Sequence, residues 1–196
     1  MNKSAYQRPN KPRLLLSKRR ERINEAQPAP LPEPVAVDRA TECHVTPPAV
    51  AARMVDYLGL PDCGYTLEPS AGTGSIVKAL IARGHQVQAV ERHHKLSAIL
   101  AELLPDYRVS QDCFLDWAQD APRYERIVMN PPFRQVRKHI DAALSILDPL
   151  RGVLVALVPI TYNHPRAVEL ETLPADTFAR ATVNTKIIQI SGGYDA

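Results

Sequence analysis

Tyr65-Thr66-Leu67-Glu68-Pro69-Ser70-Ala71-Gly72-Thr73-Gly74 decides the fold: a short strand, Tyr65 to Glu68, runs directly into a glycine turn. Ser75 to Arg83 then reads as a helix, because Ile76, Val77, Leu80 and Ile81 recur at helical spacing and Gly84 stops it. Gly72 and Gly74 carry no Cβ, so the backbone can take positive φ and approach a ligand closely. A third glycine three residues on is missing, so the full dinucleotide fingerprint is not met. By itself the turn is also compatible with an ordinary tight bend.

The alternation continues outward. Gln86 to Glu91 reads as a strand, Lys95 to Leu104 as a helix closed by Pro105, and Tyr107 to Ser110 as a weaker strand. Arg126 to Met129 is a buried strand, Val136 to Leu147 a helix broken at Pro149, and Val153 to Val158 a wholly apolar strand. Upstream, Thr46 is placed to cap a helix with Pro47 at its first position and Val50, Met54 and Tyr57 along one face. Strands separated by short helices imply parallel pairing through right-handed crossovers, hence a doubly wound α/β sheet. Val168 to Leu173 and Lys186 to Ile190 have no long helix between them and read as an antiparallel pair closing one edge.

In such a sheet ligands bind beyond the carboxyl ends of the strands. Glu91, at the end of the second strand, is placed to accept hydrogen bonds from both hydroxyls of a ribose. Asp112-Cys113-Phe114 follows the third strand, where a carboxylate can take an adenine amino group while Phe114 packs on the ring. Together with Glu68, Pro69, Ala71, Gly72 and Gly74, these groups describe an adenosine-containing cofactor without a pyrophosphate.

Asn130-Pro131-Pro132-Phe133 follows the apolar run Ile127-Val128-Met129, opposite the glycine turn. The exocyclic amine of adenine is a poor nucleophile because its lone pair is delocalised into the ring. Two fixed acceptors, the Asn130 side-chain oxygen and the Pro131 carbonyl, can draw its hydrogens out of plane and localise that lone pair. The prolines Pro131 and Pro132 restrict the backbone and pre-orient the carbonyl. Phe133 can stack on a base turned out of a helix. No metal or covalent nucleophile is required.

Composition bounds the rest. With 196 residues and 45% hydrophobic content the chain is one domain with a tail. It has no apolar run of about 18 residues, so no spanning helix is expected, and its N-terminus does not resemble a signal peptide. Cys43, Cys63 and Cys113 are scattered without metal spacing and read as reduced thiols in a cytoplasmic protein. Residues 1–22 hold Lys3, Arg8, Lys11, Arg13, Lys18, Arg19, Arg20 and Arg22 against the single acid Glu21. Gln27-Pro28-Ala29-Pro30-Leu31-Pro32-Glu33-Pro34 follows as an extended linker. Residues 1–40 are therefore expected to be a disordered basic, proline-rich arm and 41–196 the folded domain. The arm reads as a phosphate contact, with a solvated tail as the alternative.

These residues resemble the class I S-adenosylmethionine-dependent methyltransferases, and within them the amino-methyltransferases with an Asn/Asp-Pro-Pro-aromatic signature. The resemblance spans about residues 41–191. It implies a Rossmann-like, seven-stranded sheet, mostly parallel with an antiparallel C-terminal strand. Thr46-Pro47-Pro48 is similar to the element that helps hold the methionine end of the cofactor in adenine-N6 DNA methyltransferases. Glu68 to Gly74 looks like the cofactor turn, Glu91 the ribose acid, Asp112 the adenine contact and Asn130 to Phe133 the catalytic tetrad. Leu173-Pro174 and Thr185-Lys186-Ile187-Ile188 resemble the closing strands. The family's turn often has a third glycine or an Asp where Pro69 and Ser70 stand, although adenine methyltransferases commonly carry this variant.

The implied activity is methyl transfer from S-adenosyl-L-methionine to the N6 amino group of adenine in DNA. The alternatives are an RNA base methyltransferase, a protein-glutamine methyltransferase and a silent nucleic-acid-binding protein. Sequence-specific members usually carry a recognition domain after the catalytic one, whereas few residues here follow the last strand. Low specificity, reliance on the arm or a separate recognition subunit is the expectation. His93-His94 reads as surface, and His44, His85, His139 and His164 form no ligand spacing. Tyr162-Asn163-His164-Pro165 is either a wall of the substrate pocket or a surface loop.

Overall fold

A computed structural model of the chain describes residues 45–60, 64–105, 108–178 and 184–193. The basic arm, the proline-rich linker, Cys43, His44 and Cys63 lie outside the described residues. Along the chain run α1 (Pro48–Leu58), β1 (Tyr65–Glu68), α2 (Ser75–Ala82), β2 (Gln86–Val90) and α3 (His94–Ala101). They are followed by β3 (Val109–Ser110), α4 (Phe114–Trp117), β4 (Arg126–Met129) and α5 (Val136–Ser145). The chain closes with β5 (Val153–Pro159), β6 (Val168–Leu173) and β7 (Thr185–Ser191).

Among the described residues these strands form one seven-stranded sheet, ordered β3-β2-β1-β4-β5-β7-β6. β1 to β5 pair in parallel, whereas β7 runs antiparallel to both β5 and β6. The doubly wound sheet with an antiparallel closing edge is thus observed. β1 and β4 are neighbours although three helices and two strands separate them in sequence. The order reverses between them, which opens a crevice beyond their carboxyl ends. That crevice receives the glycine turn from β1 and Asn130-Pro131-Pro132 from β4.

The period-two alternation of a strand distributes its side chains between two cores. Val155 and Leu157 of β5 join Met54, Leu80 and Val128 on the face covered by α1 and α2. Leu154, Ala156 and Val158 join Phe114, Ile127 and Ile140 on the face covered by α4 and α5.

Element ends differ from the sequence reading. Thr46 does not cap α1: the cap position is Pro47 and it makes no side-chain cap bond. The Thr46 side chain is buried and turned to Asn130 instead. α3 stops at Ala101 rather than Leu104, because the Glu102 and Leu103 amides tighten to i→i−3 bonds with the Ile99 and Leu100 carbonyls (3.3 and 2.9 Å). α5 stops at Ser145 rather than Leu147, since Ile146 and Asp148 are drawn into backbone bonds with Tyr124 (2.8 Å each). Of the expected third strand, Tyr107 lies outside the described residues and Val109 and Ser110 form β3, while α4 is a short helix absent from the sequence reading.

Candidate active site

The glycine turn is held in shape from both sides. The Ala71 amide donates to the Val90 carbonyl (3.1 Å), tying the turn to β2, and the Gly74 amide donates to the Ala71 carbonyl (2.8 Å). Gly72 and Gly74 take φ of 53° and 80°, in the left-handed region that glycine adopts freely. The two glycines serve different neighbours. Gly72 lines the pocket at the end of the sheet, whereas Gly74 does not. A Cβ on Gly74 would lie 3.0 Å from Leu100 Cδ2 and 3.1 Å from Leu103 Cδ1, so this glycine lets the turn pack against α3 and its C-terminal turn.

Glu91 stands just past β2 and is fixed by the backbone. Its Oε2 accepts from the Gly72 amide and its Oε1 from the His93 amide, both at 2.7 Å. Each oxygen retains a lone-pair direction for a ligand hydroxyl. Glu68, at the end of β1, is 1% exposed and its Oε2 meets no hydrogen-bond partner. Burial, then the neighbouring Glu91 charge, push the Glu68 carboxyl well above the usual carboxylate range, only partly offset by a bond from the Val77 amide. A cation placed beside these two acids would favour the ionised form of Glu68.

Asp112 is exposed and turns its Oδ1 back to the Cys113 amide (2.7 Å). Phe114 is buried, in tilted contact with Trp117 (6.4 Å) and His139 (5.9 Å), and presents part of its surface to the pocket. Across the crevice the Asn130 Nδ2 donates to Thr46 Oγ1 at 3.0 Å. Pro131 is buried, and Pro132 and Phe133 are half-buried.

One pocket of about 330 Å³ unites these groups. Thr46, Glu68, Pro69, Ala71, Gly72 and Glu91 line it together with Asp112, Cys113, Phe114, Asn130, Pro131 and Pro132. Phe133 stands outside that lining, in a short 3-10 turn leading to α5. Tyr162 is likewise outside it, buried in the core with its hydroxyl oxygen unpartnered.

Two histidines belong to the wall although sequence reasoning left them out. His93 lines the pocket with its Nδ1 buried and unpartnered, while His94, stacked on it at 5.1 Å, stays exposed. His139 sits 3.1 Å from the Gln135 carbonyl through Nδ1, which must therefore be the donor, leaving Nε2 as the acceptor. Burial lowers the His139 pKa, which favours the neutral ring. The signal available in the sequence was that His139 shares the apolar stripe of Ile140 and Ala143, which reads as core.

The sheet order, the antiparallel edge and a crevice at the β1–β4 switch decide the architecture. The fold is that of the class I methyltransferases. The chain matches no protein-family model and no curated protein sequence. Solved structures share the methyltransferase fold at low identity. The 23S rRNA methyltransferase ErmE is 17% identical at a TM-score of 0.59, with 81% of this chain and 70% of that one covered. A dimethyladenosine transferase from Plasmodium falciparum is 13% identical at 0.62, covering 77% and 64%. The methyltransferase subunit of a type I restriction-modification system from Streptococcus thermophilus is 16% identical at 0.61, covering 76% and 45%. This chain therefore spans less than half the length of the restriction-modification subunit.

Proposed function

We propose that the pocket holds S-adenosyl-L-methionine and that the protein methylates the N6 amino group of adenine in DNA. The observation that carries this reading is the meeting of Asn130-Pro131-Pro132 with Glu68 and Glu91 around one pocket.

The residues present fit that cofactor. The unpartnered Glu68 Oε2 suits an ammonium group, Glu91 suits ribose hydroxyls, and Phe114 beside Asp112 suits an adenine. The bound cofactor would supply an electrophilic methyl group on a sulfonium. All else falls to the chain. Thr46 holds the Asn130 amide nitrogen, which directs the Asn130 oxygen as an acceptor. With the Pro131 carbonyl it accepts hydrogen bonds from both N–H groups of the incoming amine and concentrates the lone pair on nitrogen. Because these acceptors are fixed before substrate arrives, they need no reorganisation during transfer. Phe133, next to Pro132 and half-buried, is the ring assigned to the substrate base.

RNA is the second reading, favoured by the likeness to ErmE, whose name specifies 23S rRNA. Incubation with methyl-radiolabelled cofactor and equal amounts of unmethylated DNA and RNA separates the two. Label in DNA that disappears in Asn130→Ala supports the proposal, and label in RNA alone replaces it.

A further inference from the structure

Directly after the tetrad the chain reads Arg134-Gln135-Val136-Arg137-Lys138, and its three cations are placed at or near the surface beside the pocket. Spacings of three and four residues put Arg134, Arg137 and Lys138 on one side as the 3-10 turn passes into α5. The opposite side of α5 buries His139, Ile140 and Ala143. Arg134 also borders the pocket that contains Asn130.

This placement works against the fold's own stability. The first turn of a helix carries the positive end of its dipole, so acids are favoured there and cations are not. The first turn of α5 has no acid. Three other cations are neutralised by partners: Arg53 pairs with Glu171 (2.9 Å), Arg83 with Asp56 (2.7 Å) and Lys186 with Glu169 (3.2 Å). Among the described residues Arg137 and Lys138 make no such ion pair; Arg137 lies 5.9 Å from the Tyr162 ring centroid. Opposing charge nearby comes from Asp141, one turn on along α5, and from exposed Asp112 across the pocket.

We infer that Arg134, Arg137 and Lys138 form the surface on which the phosphate backbone of a DNA strand docks when its base enters the site at Asn130. The inference rests on the proposed function and deepens it: the catalytic domain itself supplies a polyanion contact, in addition to any from the basic arm. Three cations clustered beside the pocket complement a partner with regularly spaced negative charge. A bound polyanion would offset the unfavourable dipole interaction of Arg137 and Lys138 at the start of α5.

The full chain and its Arg137→Gln/Lys138→Gln variant should be titrated onto a fluorescent single-stranded DNA across a range of salt concentrations. Lys78→Gln/Arg151→Gln, which removes two exposed cations elsewhere, is the control. S-adenosylhomocysteine binding, measured by calorimetry, should be unchanged in both variants, because neither Arg137 nor Lys138 lines the pocket. The slope of log affinity against log salt should become shallower by about 0.7 for each phosphate no longer neutralised, in the Arg137/Lys138 variant alone. An unchanged slope, an equal change in the control, or no DNA binding by the wild type would overturn the inference. So would RNA binding that carries the whole effect while DNA shows none. Failure of the wild type to bind S-adenosylhomocysteine would count against the proposed function instead, and the DNA titration would still be read on its own.

Discussion

The hydrogen bond between Thr46 and Asn130 joins residues 84 positions apart and fixes the one amide the proposed chemistry depends on. Thr46→Val keeps the shape and removes the hydroxyl. Methyl transfer should slow about tenfold, the size of one hydrogen bond, with S-adenosylhomocysteine affinity changed far less. Thr46→Ser should restore the rate. Glu68 makes a second prediction, through pH. Its native pKa is raised, so its contribution to stability is fully present below its ordinary value of 4.5 and is lost as pH rises through the native value. A ligand ammonium would reverse the penalty by favouring the ionised form. Between those two pKa values, binding of S-adenosylhomocysteine should release a proton and tighten as pH rises. Calorimetry in buffers of different ionisation heat measures the release, which Glu68→Gln should abolish. That Glu68, Glu91 and Asn130 line one pocket was legible in the sequence because each stands at the carboxyl end of a strand. His93 and His139 were not, since a histidine beside a helix start or on an apolar stripe looks the same whether or not a pocket opens next to it.

At the scale of elements, the turn between α5 and β5 depends on a missing side chain. A Cβ on Gly152 would overlap the Asp148 carbonyl oxygen and the Leu147 side chain. Gly152→Ala should destabilise by at least about 1–3 kcal/mol, typical of overpacking. Thermal denaturation should show this as a midpoint lowered by about 2–4 °C per kcal/mol. The element order itself was readable from pattern. β5 announced itself as the unbroken apolar run Val153 to Val158, and Leu154 to Val158 are all wholly buried, as suits a strand covered on both faces. The helix ends were not readable: α5 stops at Ser145 because Tyr124 competes for the next backbone groups, a tertiary contact with no local signature. Thr46 misled for a related reason. A threonine before two prolines is a reasonable cap by local rules, but its hydroxyl is engaged by Asn130.

Across the whole molecule, aromatic contacts centred on α4 link the pocket to the core. Trp117 is the protein's single tryptophan and packs on Tyr124 at 6.2 Å and on Phe114, whose ring borders the pocket. Its emission should therefore shift when S-adenosylhomocysteine binds, and Phe114→Leu should blunt that shift. The methyltransferase fold makes a transfer site possible, and the chemistry depends on what stands at the β1–β4 switch. The most direct measurement supplies the protein with S-adenosylmethionine carrying a deuterated methyl group and unmethylated DNA, then digests the DNA for mass spectrometry of its nucleosides. The expected product is deoxyadenosine with the labelled methyl on N6, reduced on the order of 10²–10³-fold by Asn130→Ala, as when another enzyme is deprived of a preorganised group that stabilises its transition state. Deoxyadenosine that stays unlabelled, from a wild-type protein shown to bind S-adenosylhomocysteine, would contradict the assignment.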